Sequence, residues 1–490
     1  MADSGHGPAT NRRTGAGLDA THRQPLIGQW VPRLELDGTT KYAALAQAIE
    51  LGISEGFLQP GMRLPPQRDI AKYLGVTIAT VTKAIGLATH RGLVAARAGS
   101  GTFIVDRNAA QAAPAAVPDA DIETQDLSLN APPVSVVMDL LQENLRELAH
   151  DGPATNRAFD YEPIPGEAAH RQAACKWMAL RGLAASPDQV LITQGAHEAL
   201  LVCLSALTQP GDTVLCERLN YTGLRRIGQL LRIKLVGVEV DDGGLLVDTL
   251  PDLIRRHSPK AIVCTPVTHN PTTVTYSERC KALLGKLAEA AAIPIIEDDI
   301  YGLFGGSDAP PLAASWPEGT ILVTSLSKTI AAGLRVGYVS APASLLPRIR
   351  DALFMLGWTA PALQMSFATR LIDSGRAERC VALHRAEATQ RVQMAKRILG
   401  SALHTSSSTP TYHVWVETGT MRPGDISAEL YRQGIQVSPA SHFVIGDGPV
   451  PQALRLSLGR AHERQALELP LRLIAHRLSA GKTPALGSIA

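Results

Sequence analysis

The sequence predicts an α/β protein in two folded parts: a small helical head that closes with a β-hairpin, and a large body on a mainly parallel sheet. Three observations carry this. The chain has 490 residues, more than one hydrophobic core organises, because single cores stop growing near ~250–300 residues. Residues 41–90 repeat apolar side chains at helical spacing and are punctuated by Pro and Gly. Beyond residue 133, short apolar runs such as "VLIT", "TVLCE", "LVGVEV", "AIVCTP", "IPIIEDD" and "ILVTSL" alternate with helical stretches, the signature of strands joined by crossover helices.

Composition excludes several classes. No apolar run approaches the ~20 residues that cross a bilayer, so no membrane partner is expected. The opening "MADSGHGPATNRRTGAGLDATHRQ" has no apolar core behind its positive charges. Residues 1–35 are therefore expected to form a flexible tail and not a secretory signal, which implies a cytoplasmic location. The six cysteines (Cys175, Cys203, Cys216, Cys264, Cys280, Cys380) lack paired spacing and several sit in apolar runs. Buried reduced thiols account for them, and no metal site is expected.

The head is expected over residues 36–107. Tyr42, Leu45, Ile49 and Ile53 mark a first helix that Gly56 and Pro60-Gly61 break. Pro65-Pro66 can open a short second helix that packs Ile70 and Leu74 inward; Gly75 turns the chain, and Thr77 can cap a third helix. In that third helix Val81, Ala84, Ile85 and Ala88 form one stripe and leave Ile78, Ala79, Thr82 and Lys83 outward. This is helix-turn-helix spacing, and the third helix suits a major groove. "LVAARAGSGTFIVD" then reads as a hairpin wing around Gly99 and Gly101, with Arg97 at its base. Residues 41–108 carry eight basic against four acidic side chains, an excess that favours nucleic acid only weakly by itself. Periodicity alone fits any three-helix unit equally well.

The order "L-x-P-G-x-R-L-P-P-x-R-x-I-A-x-x-L-G-V-T" followed by "R-x-G-S-G-T-F" resembles the winged-helix domain of GntR-type bacterial transcription regulators. The resemblance implies binding to double-stranded DNA through Arg68, Thr77, Thr80, Lys83, Arg97 and Gly99. Ile78 departs from the pattern, which usually has Arg after the turn's hydroxyl residue.

Residues 108–132 are rich in Ala and Pro and read as a linker. The body is expected over 133–478, with a C-terminal tail at 479–490. Open parallel sheets bind ligands at the carboxyl ends of their strands, and four such ends carry polar residues. Lys328 follows "TILVTS" among Ser325 and Ser327, with Arg335 beyond. A partly buried amine among hydroxyls and a guanidinium suits an aldehyde cofactor bearing a phosphate. Asp298 ends "IPIIED", where a carboxylate can keep a pyridine nitrogen protonated, and Tyr301 can donate to a ring oxygen that Asn270 can also serve. Gly195 precedes an apolar helix whose first amides, on Ala196 and His197, can face phosphate. Arg455 in "ALRLSLG" suits a carboxylate ligand or a structural ion pair, and spacing does not choose between them.

In order, G-A-H, Tyr221, N-P, D-x-x-Y, S-x-S-K and R-x-G resemble the fold-type I aminotransferases that bind pyridoxal 5'-phosphate. The resemblance implies a large domain with a mainly parallel sheet and a smaller C-terminal α+β subdomain. It implies that Lys328 holds the cofactor as an internal aldimine, Asp298 pairs with its pyridine nitrogen, Asn270 and Tyr301 contact its hydroxyl, and Tyr221 stacks on its ring. Gly195, Ala196, His197, Ser325, Ser327 and Arg335 would surround its phosphate, Arg455 would bind a ligand α-carboxylate, and Tyr161 would reach a neighbouring subunit's phosphate. Two positions depart from the pattern: Ala332 stands where Pro is usual, and His197 where a polar amide is usual.

A GntR-type head on such a body resembles the MocR-type regulators. That resemblance implies a homodimer, in a head-to-tail arrangement, that senses an amino compound or the cofactor itself through an aldimine at Lys328. An active aminotransferase moving an amino group to a 2-oxo acid is the other reading, because sensing and the first half of transamination need the same residues.

Overall fold

The computed structural model describes residues 40–54, 57–59, 61–90, 93–97, 101–105, 125–305, 310–404, 409–446 and 448–480. The expected tail at 1–35, Gly99 and most of the expected linker lie outside them. Two units separate at Ala120/Asp121.

In the first unit, helix α1 (Lys41–Ser54) buries Leu45 and Ile49. Pro66 precedes α2 (Gln67–Leu74), where an absent N–H costs nothing. Gly75 ends α2 in the left-handed region at φ 63°, a conformation that costs glycine least. Thr77 caps α3 (Ile78–His90): its Oγ1 accepts from the Thr80 N–H at 3.2 Å. Val81, Ala84, Ile85 and Ala88 of α3 are buried, while Ile78, Ala79, Thr82 and Lys83 are exposed. Strand β1 (Val94–Arg97) pairs antiparallel with β2 (Gly101–Ile104) and closes the core through Val94 and Ile104. The first unit is a helix-turn-helix with a wing.

The second unit holds a seven-stranded sheet. Its strands are β4 (Val190–Thr193), β5 (Thr213–Glu217), β6 (Lys234–Val238), β7 (Ala261–Cys264), β8 (Ile295–Asp298), β9 (Thr320–Ser325) and β10 (Gly337–Ser340), in spatial order β4-β10-β9-β8-β7-β5-β6. Only β10 runs antiparallel to its neighbours. Strands β4, β5, β7 and β9 are buried along their whole length, as befits a sheet covered on both faces. Helix α4 (Ala196–Leu207) covers one face with Val202, Cys203 and Leu204. A smaller antiparallel sheet follows, in order β11 (Leu403–His404), β12 (His413–Glu417), β15 (Ala453–Ser457), β14 (Ser438–Pro439). Helices α6 (Arg376–Leu399) and α7 (Glu468–Ala480) bury Leu399, Leu471 and Ile474 in its core.

Two boundaries differ from expectation: helix α7 runs to Ala480, two residues into the expected tail, and the body begins before residue 133. Strand β3 (Gln125–Asp126) pairs with β13 (Ile435–Gln436), and Leu127 and Asn130 are buried. Residues 125–132, read from composition as linker, therefore belong to the body: Leu127 supplies an apolar anchor and its main chain bonds to the small sheet through Gln436 and Ser457. The six cysteines are free, and five are buried. Among the described residues no single helix is long and apolar enough to cross a membrane.

Candidate cofactor and ligand site

Sheet register gathers the site. Thr193 at the end of β4, Gly337 at the start of β10 and Ser325 at the end of β9 lie in one row, so Gly195, Arg335 and Lys328 emerge side by side. Gly195 has φ 88°, and a Cβ there would meet Arg335 Nη2 at 3.0 Å. Glycine is therefore required both for the backbone angle and for the approach of the guanidinium. Arg335 Nη2 donates to the Gln194 carbonyl at 3.0 Å. The first N–H groups of α4 have no helical acceptor, and Ser327 Oγ beside Ser325 is buried without a partner. Together they offer donors and positive charge to an anion.

Strand alternation gives "EDD" three separate tasks. Glu297 accepts from the Leu312 and Ala313 N–H groups at 3.0 Å each, and Asp299 pairs with Arg181 at 2.9 Å. Asp298, between them, is buried with Oδ1 unpartnered. Burial, with the Glu217 carboxylate behind it, pushes the Asp298 carboxyl up to about 7. Glu217 is itself saturated by Thr265 N, Tyr276 Oη and Asn220 Nδ2. An N–H donor facing Asp298 would restore its anion.

Lys328 is partly buried, and its Nζ donates to the Asn130 carbonyl. Burial, then Arg455, pulls its amine down to about 8, against the opposing pull of Asp298. Tyr301 is buried and its hydroxyl is held well above the usual range by burial; its oxygen accepts from Asn130 Nδ2 at 2.8 Å. Tyr221 immediately precedes helix α5 (Thr222–Leu231), and its ring meets that of His197 edge-on at 6.0 Å. Burial, then Arg335, lowers the His197 imidazole, which favours its neutral form.

Arg455 lies mid-strand on β15, 7% exposed. Nη1 donates to Asn270 Oδ1 at 3.0 Å, Nη2 donates to the Ser128 carbonyl, and Nε is unpartnered. The guanidinium sits 4.9 Å from the Phe443 ring centroid. No carboxylate of the described residues pairs with it directly, and burial lowers it to about 10. The spacing ambiguity resolves: this is not a structural ion pair.

The structure thus brings Gly195, Ala196, His197, Tyr221, Asn270, Asp298, Tyr301, Ser325, Ser327, Lys328, Arg335 and Arg455 to one end of the body's strands. Tyr161 lies apart, 90% exposed beside Trp358. In the head, Arg68, Thr77 and Lys83 are exposed, and Thr80 bonds Thr77; Arg97 ends β1. Sequence reasoning missed Ser128, Asn130 and His413. His413 Nδ1 lies 3.0 Å from Asn130 Nδ2, and burial drops this imidazole to about 3, leaving a neutral ring. No local pattern marked Ser128 or Asn130: Leu127 is buried but Leu129 is exposed, and the residues before them are rich in Ala and Pro.

Residues 122–469 match the family described as aminotransferase class I and II. The chain belongs to that family. Residues 41–104 match the gntR family of bacterial regulatory proteins, so the whole has the MocR-type organisation. The uncharacterized HTH-type transcriptional regulator YdeF of Bacillus subtilis is 28% identical over 449 residues, covering 92% of this chain and 96% of that one. The HTH-type pyridoxine biosynthesis transcriptional regulator PdxR of Corynebacterium glutamicum is 25% identical over 453 residues, covering 89% and 96%. Among solved structures, an archaeal alanine:glyoxylate aminotransferase superposes with TM-score 0.67 at 23% identity, over 74% of this chain and 92% of that one. That likeness shows the fold of the body.

Proposed function

We propose that this protein is a transcription regulator that binds double-stranded DNA with its head and, with its body, binds pyridoxal 5'-phosphate and senses a small amino compound. The observation that carries the reading is the convergence of an amine, a buried carboxylate with one oxygen unpartnered and an anion subsite in a chain that also carries a helix-turn-helix with a wing. These residues fit the cofactor: Lys328 would join its aldehyde covalently, and Asp298 Oδ1 would accept from its pyridine nitrogen. Tyr301 and Asn270 would hold its ring hydroxyl and Tyr221 its ring face. Ser325, Ser327, Arg335 and the amides of Ala196 and His197 would hold its phosphate. When bound, the cofactor supplies an electrophilic carbon for amines and a ring that accepts electrons.

The chain's own residues do the remaining work. Burial keeps a share of Lys328 neutral, hence nucleophilic, near neutral pH. Arg455 orients a ligand carboxylate, and the neutral His413 next to Asn130 adds no competing charge. In the head, Arg68, Thr77, Thr80, Lys83, Arg97 and Gly99 are assigned to DNA, with Ile78 presenting an apolar contact where a base-reading guanidinium is usual in the family.

We assign homodimerisation to the body. Phe159, Tyr161 and Met355 are 78%, 90% and 79% exposed, and Trp358 touches both Tyr161 and Phe354. Such a patch marks an association surface. The second reading, a working aminotransferase, is favoured by the presence of both Lys328 and Arg455 at one site. One experiment separates them: amino acids and amines are screened for shifts of the bound cofactor's absorbance, with and without an added 2-oxo acid. A shift without product supports sensing; product at enzymic rates supports catalysis. A protein that stays colourless with added cofactor refutes both.

A further inference from the structure

Helix α3 of the head leaves Ile78, Ala79, Thr82, Lys83 and Gly86 exposed. Ile78 is 56% exposed, an apolar side chain left in water at the first position of the helix. Gly86 weakens a helix interior, and a Cβ there would meet nothing within 4 Å, so packing within the head does not require it. A bare backbone at that point lets a surface from outside come close.

Most polar groups of this face are already engaged inside the head. Thr82 Oγ1 donates to Gln67 Oε1 at 2.8 Å and lies 3.0 Å from the Ile78 carbonyl, which takes up the one proton a hydroxyl has. Gln67 thereby commits the amide oxygen that a bidentate pair with adenine needs. Thr89 Oγ1 donates to the Ile85 carbonyl at 2.8 Å. Thr77 and Thr80 bond each other at 2.9 Å and sit at the helix start, where phosphate contacts fall. Lys83 is exposed, as are Arg68 and Lys72 one turn apart on α2, and these three supply charge for phosphate. In the major groove guanine is read by paired donors, cytosine by an acceptor and adenine by an amide. Apart from Lys83, this face offers none of them free. What it does offer is apolar, and thymine shows the groove an apolar group, its C5-methyl.

We propose that Ile78, Ala79 and Thr82 pack on thymine methyl groups, so that the head selects A·T base pairs where the first two turns of α3 face the groove. The proposal rests on the assignment of the head to double-stranded DNA and names the base chemistry which that assignment leaves open.

The test uses the full-length protein, with and without added pyridoxal 5'-phosphate, to enrich duplexes from a randomised pool at low salt. The enriched sequence is then resynthesised with deoxyuridine for thymidine, one position at a time. Uracil keeps every hydrogen-bonding group of thymine and lacks only the methyl. At one or more positions the change should weaken binding by about fourfold, the effect of one buried methyl group. At the position under Ile78 that loss should vanish in Ile78→Ala, while Ile78→Arg should enrich guanine there. Duplexes that bind equally well with uracil throughout, or whose uracil sensitivity is unchanged in Ile78→Ala, overturn the methyl reading and leave the DNA assignment standing. If no sequence is enriched under either condition, the DNA assignment fails and takes the proposal with it.

Discussion

Head and body solve opposite problems. The head buries only apolar side chains of α3 and presents Arg68, Thr77 and Lys83 to solvent; its candidate contacts are long or small polar groups on a surface. The body buries its chemistry, with Asp298, Tyr301, Ser327 and Arg455 each under a tenth exposed, and leaves several of their polar atoms unpartnered. A surface reader works by adding exposed contacts to a ligand outside. A buried site works by withholding partners until a ligand supplies them, because an unpaired buried polar group costs ~1–3 kcal/mol.

Changes to one unit should therefore differ in kind from changes to the other. The largest effect belongs to Lys328→Ala, which should abolish absorbance near the visible edge in cofactor-loaded protein while circular dichroism stays native. Retained colour would remove Lys328 from its role. Next comes the paired change Arg68→Ala with Lys83→Ala, expected to weaken binding to the upstream DNA of the protein's own coding region across all sequences. The slope of log affinity against log salt should fall by about 0.9 for each lost phosphate contact. An unchanged slope would mean that these side chains do not meet phosphate.

The pH response sharpens the contrast on the body's side. Burial and Arg455 place the Lys328 amine at about 8; it is protonated below that pH and neutral above, and only the neutral amine attacks an aldehyde. Cofactor capture followed by stopped-flow absorbance should accelerate about tenfold per pH unit below about 8 and level off above it. A flat profile would show that another step limits capture. The smallest effect is Thr77→Ala, which removes the cap on α3 and should cost the head about 1 kcal/mol in thermal or urea unfolding. Cofactor absorbance should not change, and if it did, the two units would be coupled in stability.

Much of this was legible because local rules carry it. Pro66, Gly75 and Thr77 punctuate the head at the places where its helices start and stop, and the buried strands β4, β5, β7 and β9 read as continuous apolar runs. Lys328, Asp298 and Gly195 were legible because parallel strands deliver their ends to one edge. Ser128 and Asn130 were not, because their role is a main-chain carbonyl in one case and an amide reaching 171 positions along the chain in the other. No local pattern encodes either. The direction of Arg455 was equally hidden: spacing allowed an ion pair, and only the fold shows which acceptors surround it.

The reversed strand β10 has a practical result. Because it enters the sheet at Gly337 level with Ser325 and Thr193, the single excursion between Ser325 and Gly337 carries both the lysine, which reaches the Asn130 carbonyl, and the guanidinium, which lies against Gly195. Lengthening that excursion by even one residue would slide two grips off their target together, whereas an equal insertion after β7 or β8 would disturb just one. The most intolerant stretch of this polypeptide to length variation should be that short return.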